Sequence, residues 1–359
     1  MQAERDSVPH EVDTGVERDA RRLRNGIAWV LALAGLLIAI GLAVPDLRGV
    51  LDRALDASGW WLALALALEL GSCLGYVATV RLVLNRGPAR EVRRLAWAEM
   101  AFGAVVPVGG AGGLAVGAWA MHAWGIAWSR IANRSAVIFL LTSAVNAAVL
   151  GITGVGVWIG LGSPKSGLLY GLLPAVVGFG AIALFVGLAR VPRGRLPGQP
   201  GRPLRTVLES TGAWVRDTEQ LVFERHWRLL GAVAYLLCDI AVLWACMRAV
   251  GAHPPILALL AGYQIGYLAN LVPIPGGLGV LDGGLLAALV LYGISPARAA
   301  AAVVLYHAIA LWLPTVGGTV GFIRLRGVLG ARRRRDKDPG SGVMPRLRRE
   351  LDAPLPAAD

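Results

Sequence analysis

The chain has 359 residues, 56% of them hydrophobic and 16% charged, with a formal net charge of +12. A soluble globular domain carries about a quarter charged residues, so the composition excludes an ordinary soluble enzyme and points to a polytopic membrane protein. The excess charge is mostly arginine beside apolar stretches, which is the pattern of cytoplasmic flanks and not of a nucleic-acid-binding surface.

In chain order, residues 1–25 are of mixed charge and are expected to be disordered. No A-x-A-like cleavage site follows, so Gly26–Val44 reads as a signal-anchor helix. The next apolar runs are Trp60–Leu84, Leu95–Trp124, Ala136–Leu161 and Gly167–Leu188, which complete a first membrane half over 26–190. A Pro/Gly/Arg-rich linker, 191–228, follows, ending in a short amphipathic stretch. The second half, 229–325, holds Leu229–Val250, Ile256–Gly293 and Ala299–Ile323, and a basic tail, 326–359, is expected to be disordered. Spans need roughly 20 apolar residues, and most of these runs meet that length. Trp60, Trp61, Trp124, Trp128 and Trp227 fall near span ends and read as interface anchors.

Arginine placement sets the topology. Arg18, Arg21, Arg22 and Arg24 precede the first helix, and Arg86, Arg90, Arg93 and Arg94 follow the second. Eight arginines occupy the connector from Arg190 to Arg228, and Arg324, Arg326 and Arg332–Arg335 crowd the tail. These loops and both termini are expected to be cytoplasmic. The stretches Asp46–Gly59 and Gly251–Pro255 hold few or no cations and are expected outside.

Two apolar runs are interrupted, by V-P-V-G-G-A-G-G-L at Val106–Leu114 and by V-P-I-P-G-G-L-G-V-L-D at Val272–Asp282. Prolines and glycines cannot continue a lipid-facing helix, because the freed backbone groups have no partner in hydrocarbon. Each broken run must cross the bilayer an even number of times to satisfy the loop charges. Each arm is about 18–24 Å long at 1.5 Å per residue, short of a hydrocarbon core of about 30 Å. Both therefore read as re-entrant hairpins, one from each face. Gly125-Ile126 matches Gly293-Ile294, Val106-Pro107 matches Val272-Pro273, and Glu69 matches Asp239, at offsets of about 170 residues. The expected fold is an all-α polytopic helical bundle with two re-entrant hairpins in an inverted repeat, an architecture recurrent in alternating-access transporters.

Acidic residues inside apolar spans are costly and tend to be functional. Glu69, Glu99, Asp239 and Asp282 qualify. Glu99 either lines a cavity or pairs with the nearby Arg93 and Arg94. Asp282 either serves the site or caps a half-helix. The glycines Gly276, Gly277 and Gly279, with Pro273 and Pro275, would aim a helix N-terminus into the membrane interior, where it attracts anions. Gly109, Gly110, Gly112 and Gly113 would do the same from the opposite face, or else serve tight packing. Tyr263, Tyr267 and Asn270 share a helical face and, with Gln264, could line a headgroup pocket or bond neighbouring helices. His307 lies in the last span. The three cysteines and five histidines show no metal-ligand spacing, and no nucleophile elbow or Walker loop occurs, so neither an enzyme nor a cofactor is expected.

P-I-P-G-G-L-G-V-L-D, followed by G-I-S-P-A-R-A-A-A-A-V-V-L-Y-H and L-P-T-V-G-G, resembles the signature of the lysylphosphatidylglycerol synthase transmembrane, or flippase-like, family. The resemblance covers about residues 26 to 325 and is specific over Pro273–Gly318. It implies a bacterial plasma membrane protein that moves a modified lipid between leaflets. The aminoacyl-transferring members have a further soluble domain; only a short basic tail follows the last span here, so lysyl transfer is not expected. This chain has Asp282 where the family commonly has Glu and His307 where it has Arg, and Met100–Met121 contains no acidic or Lys/Arg residue. The leading reading is translocation of an anionic or polyprenyl-linked lipid, with the basic linker and tail touching anionic headgroups. Two others stand beside it, a non-transporting partner of an envelope-modifying enzyme and a small-anion secondary transporter.

Overall fold

A computed structural model describes residues 52–85, 87–105, 111–161, 168–190, 202–224, 227–269 and 278–336, and among these every element is helical. The helices are α1 (Gly59–Val83), α2 (Ala89–Val105), α3 (Ala111–Ala123), α4 (Trp128–Trp158) and α5 (Leu173–Arg190), the last entered through a π-turn, Leu168–Leu172. Then come α6 (Arg202–Phe223), α7 (Leu230–Ala249), α8 (Ile256–Ala269), α9 (Leu278–Leu291) and α10 (Pro296–Asp336). Five helical segments are long and apolar enough to cross a membrane, namely α1, α4, α5, α7 and α10 with their flanking turns. The protein is therefore an integral membrane protein. The sixth expected span, Gly26–Val44, lies outside the described residues, as do the break points 106–110 and 270–277.

Helices α1 and α7 form the centre, joined along most of their length. Their backbones meet because two glycines face each other. A Cβ on Gly75 would lie 2.7 Å from the Gly231 carbonyl oxygen, and one on Gly231 would lie 2.7 Å from the Gly75 carbonyl oxygen. Lipid offers no hydrophobic drive for helix pairing, so such small-residue contacts carry the association through close packing. Ser72 strengthens it by donating to the Tyr235 carbonyl at 2.8 Å. At the far end Trp61 and Trp244 pack edge to face at 5.3 Å, with Arg248 over both rings.

The short arms pair with each other, α2 with α3 and α8 with α9. Each arm is only about 20–25 Å long. Helix α2 packs on α10, and α8 packs on α4. Both pairs end in the same cap. Gly125 (φ 84°) and Gly293 (φ 94°) take the left-handed conformation that favours glycine. The next residue's N–H then reaches back five positions, from Ile126 to Met121 and from Ile294 to Leu289, at 3.1 Å in each case.

Helix α4 meets α5 through Gly154, Gly171 and Gly178, where a Cβ would strike the neighbouring backbone. Helix α6, in the basic linker, is longer than the short amphipathic stretch expected. It buries Val215 and Leu221 and rests on α4 and α5, with Asn133 Nδ2 donating to Asp217 at 2.9 Å. Helix α10 runs on past the expected span end at Ile323 to Asp336. Trp60, Trp128 and Trp227 are exposed as interface anchors would be, whereas Trp124 is buried inside the protein.

Gly75→Ala adds a Cβ that meets the Tyr235 nitrogen at 2.6 Å, whereas the same change at Gly180 meets open space. Gly75→Ala should lower the detergent unfolding midpoint by the equivalent of about 1–3 kcal/mol. Gly180→Ala should leave it unchanged or raise it through helix propensity.

Candidate functional site

Glu69 sits near the middle of α1 and Asp239 near the middle of α7. The glycine crossing holds these helices so close that the two carboxyls fall within electrostatic range of each other. Asp239 Oδ2 accepts a hydrogen bond from the Tyr306 hydroxyl of α10 at 2.9 Å and another from the Tyr263 hydroxyl of α8. The Tyr263 and Tyr306 rings meet edge to face at 6.4 Å, and Tyr306 meets His307 in the same way at 5.0 Å. His307 directs Nδ1 to its own helix, donating to the Val303 carbonyl at 3.2 Å, and lies within electrostatic range of Asp239. One carboxylate thus ties three helices, α7 by covalent attachment and α8 and α10 by hydroxyl donors, with Glu69 of α1 held beside it.

Glu69 is 4% exposed. Its Oε1 accepts a weak bond from Cys73 Sγ at 3.6 Å, and Oε2 has no partner among the described residues. Gln264, one residue beyond Tyr263 on α8, is likewise buried with its Nε2 unpartnered among them. Buried polar atoms without partners cost free energy. Among the described residues no three metal-ligating side chains converge.

Of the expected site residues, Glu69, Asp239, Tyr263 and His307 come together. Glu99 does not join them and does not pair with Arg93 or Arg94. It is buried under α3, accepts from the Tyr76 hydroxyl of α1 at 3.1 Å, and its Oε1 occupies the space a Cβ on Gly117 would need. The arginines turn the other way because their stems lie on the exposed side of α2. Gly112 and Gly113 open α3 as buried residues, and a Cβ on Gly113 would meet the Glu99 carbonyl oxygen at 2.6 Å. Gly113 serves the close packing of α3 on α2. Gly279 and Asp282 lie in the first turns of α9 and Tyr267 in α8, their side chains outside the described set. Gly109, Gly110, Asn270, Pro273, Pro275, Gly276 and Gly277 fall wholly outside the described residues.

Tyr306 and Tyr76 were missed by sequence reasoning. A lone tyrosine in an apolar helix reads as packing. The usable signal is that an intramembrane carboxylate needs donors, and hydroxyl-bearing aromatics are the apolar-compatible source.

Because Tyr263 and Tyr306 donate to one oxygen, each can stand in for the other. Tyr263→Phe and Tyr306→Phe should each cost about 1–2 kcal/mol of stability. The double variant should cost more than their sum, by over roughly 0.5 kcal/mol in a double-mutant cycle of unfolding in detergent.

Among curated proteins, none matches the chain. The family described as lysylphosphatidylglycerol synthase TM region matches residues 27–318, which takes in both pairs of short helices, the Asp239 cluster and more than half of α10. The chain belongs to the lysylphosphatidylglycerol synthase transmembrane-region family.

Proposed function

We propose that this protein translocates a lipid between membrane leaflets, with the Glu69–Asp239 centre as the polar station on its path. The observation that carries the proposal is a pair of carboxyls, Glu69 buried and Asp239 half-buried, near the middle of two helices apolar enough to span a membrane, where ionisable groups are rare and mark substrate or ion pathways. Family membership supports a lipid as the cargo. The carboxyl pair favours a headgroup with hydrogen-bond donors, an amine or sugar hydroxyls, over a bare phosphate, which Glu69 and Asp239 would repel. An aminoacylated or glycosylated lipid, including a polyprenyl-linked one, fits that requirement. The protein itself makes and breaks no bond in this account.

Alternating access through an inverted repeat completes the proposal. In it α1, α2–α3 and α4 correspond to α7, α8–α9 and α10, the paired short helices entering the bilayer from opposite faces. Three facts support the correspondence. The arms are too short to span; the matching Gly-Ile caps close both pairs; and the first arm of each half packs on the last helix of the other. Moving one half against the other would then open the Asp239 centre to each leaflet in turn. Single cysteines at position 253, exposed beside the buried Ala252, and at position 198 should label from opposite sides of the membrane, and labelling from one side would overturn the repeat.

Translocation itself is tested with fluorescent aminoacyl- and glycolipids in proteoliposomes, read by quenching of the outer leaflet. The full chain should accelerate exchange over protein-free vesicles, and Asp239→Asn should slow it at least about tenfold, roughly 1.4 kcal/mol in barrier, while still folding. A rate equal to that of protein-free vesicles for every lipid would overturn the proposal in favour of a non-transporting partner. Asp282→Asn separates two roles for α9. Loss of exchange would bring Asp282 into the site, whereas normal exchange with a stability loss of a few tenths to about 1 kcal/mol would leave it a cap.

A further inference from the structure

A second polar feature lies far from the carboxyl centre. Arg90, Arg93 and Arg94 at the start of α2 and Arg324 on α10 line one pocket of about 380 Å³, floored by Trp97. Glycines bring the two helices together there. A Cβ on Gly317 would lie 2.5 Å from the Trp97 ring, and one on Gly321 would lie 3.0 Å from the Arg94 carbonyl oxygen. Arg324 follows Gly321 by one turn and so stands opposite the α2 arginines. Along α10 it is about 25 Å from His307, so the pocket and the Asp239 cluster are separate places.

The pocket is built against its own charge. No carboxylate lines it, and none of its four arginines is in an ion pair among the described residues. Arg81, at the end of α1, lies within electrostatic range of Arg93 and Arg228 and widens the positive field. Arginines in the first turns of α2 also stand at the positive end of the helix dipole, the unfavourable end for a cation. Several unpaired guanidinium groups around one cavity are offset most directly by a bound anion. Their forked donors match phosphate in a bidentate geometry.

The wall of the pocket indicates where the phosphate comes from. Val320 borders it, and Val316, Val320 and Ile323 form an exposed apolar strip on α10, at 59%, 44% and 63% exposure, spaced along one helical face. A free phosphate has no use for such a strip, whereas an acyl chain does. We propose that this pocket holds the phosphate of an anionic phospholipid, with the guanidinium groups on the headgroup and the acyl chains along Val316, Val320 and Ile323. The site would seat the arginine-rich end of α2 and α10 at an anionic leaflet. It requires no translocation and stands or falls separately from it.

The test uses the full chain in neutral detergent, following the thermal unfolding midpoint while short-chain lipids are titrated. Dihexanoyl-phosphatidylglycerol should raise the midpoint to saturation, and dihexanoyl-phosphatidylcholine should not. Arg90→Gln combined with Arg94→Gln should weaken the phosphatidylglycerol response about tenfold or more. Arg94→Lys, which keeps the charge but loses the fork, should fall between. Arg326→Gln lies off the pocket and should leave the response unchanged. If the double variant does not fold, the exposed Arg324→Gln carries the same expectation of a weakened response. An equal response to phosphatidylcholine, or an undiminished response in the pocket variants, would overturn the proposal. Protection by sodium phosphate at the same concentrations as phosphatidylglycerol would overturn the lipid assignment and make a free anion the occupant.

Discussion

The approach of α1 to α7 at Gly75 and Gly231 is the contact on which the rest depends. With a side chain at either position the backbones would separate, because each missing Cβ is replaced by the other helix's carbonyl oxygen. One turn further along, Gly71 admits Cys238, and at the next level Glu69 confronts Asp239. The carboxyl centre is thus a consequence of packing. Two acids that would be forced apart by their own charge are held together by close packing between the helices, aided by the Ser72 hydrogen bond and the Trp61–Trp244 contact.

Around that axis the protein repeats one device, glycine-permitted contact, and three of its seams show different outcomes. Between α4 and α5 the glycines make packing alone. Between α2 and α10 they bring arginines to one pocket. Between α1 and α7 they bring acids to one centre. The two charged places therefore differ in sign and in exposure. Cations sit at a helix end, Arg90, Arg93 and Arg324 exposed. Acids sit near the middle of two apolar helices, Glu69 buried and Asp239 half-buried. Asp239 is restrained by hydroxyls from α8 and α10, so any motion of a short arm or of the last helix must break or carry those bonds.

Much of this was legible in the sequence, and the reasons for the rest are physical. Helix positions followed from apolar length, and the two apolar runs expected to break each hold two short helices, whereas Pro314 leaves α10 continuous. The partnership of Glu69 with Asp239 was visible as a matched offset between the halves, because intramembrane acids are rare enough to stand out. Glu99 looked the same by composition but was captured locally by Tyr76, a contact between α1 and α2 that no spacing encodes. Tyr306 was invisible because an aromatic in an apolar helix carries no periodic signal. The arginine pocket was hidden in a different way. Arg94 and Arg324 are more than two hundred residues apart, and each alone reads only as a topology marker. The extension of α10 to Asp336 was missed because loop-like charge was given more weight than the good helix propensity of arginine and leucine.

The central claim is that lipid reaches the centre between α1, α7, α8 and α10. The most direct measurement is photo-crosslinking with a lipid that carries a diazirine on its headgroup, in proteoliposomes, with adducts mapped by mass spectrometry. The account predicts headgroup adducts on the peptides containing Cys73, Tyr263 and Tyr306, competed away by unlabelled lipid. Adducts confined to outward-facing positions such as Phe139, Val176 and Phe179, which are exposed on the outer surfaces of α4 and α5, would contradict it.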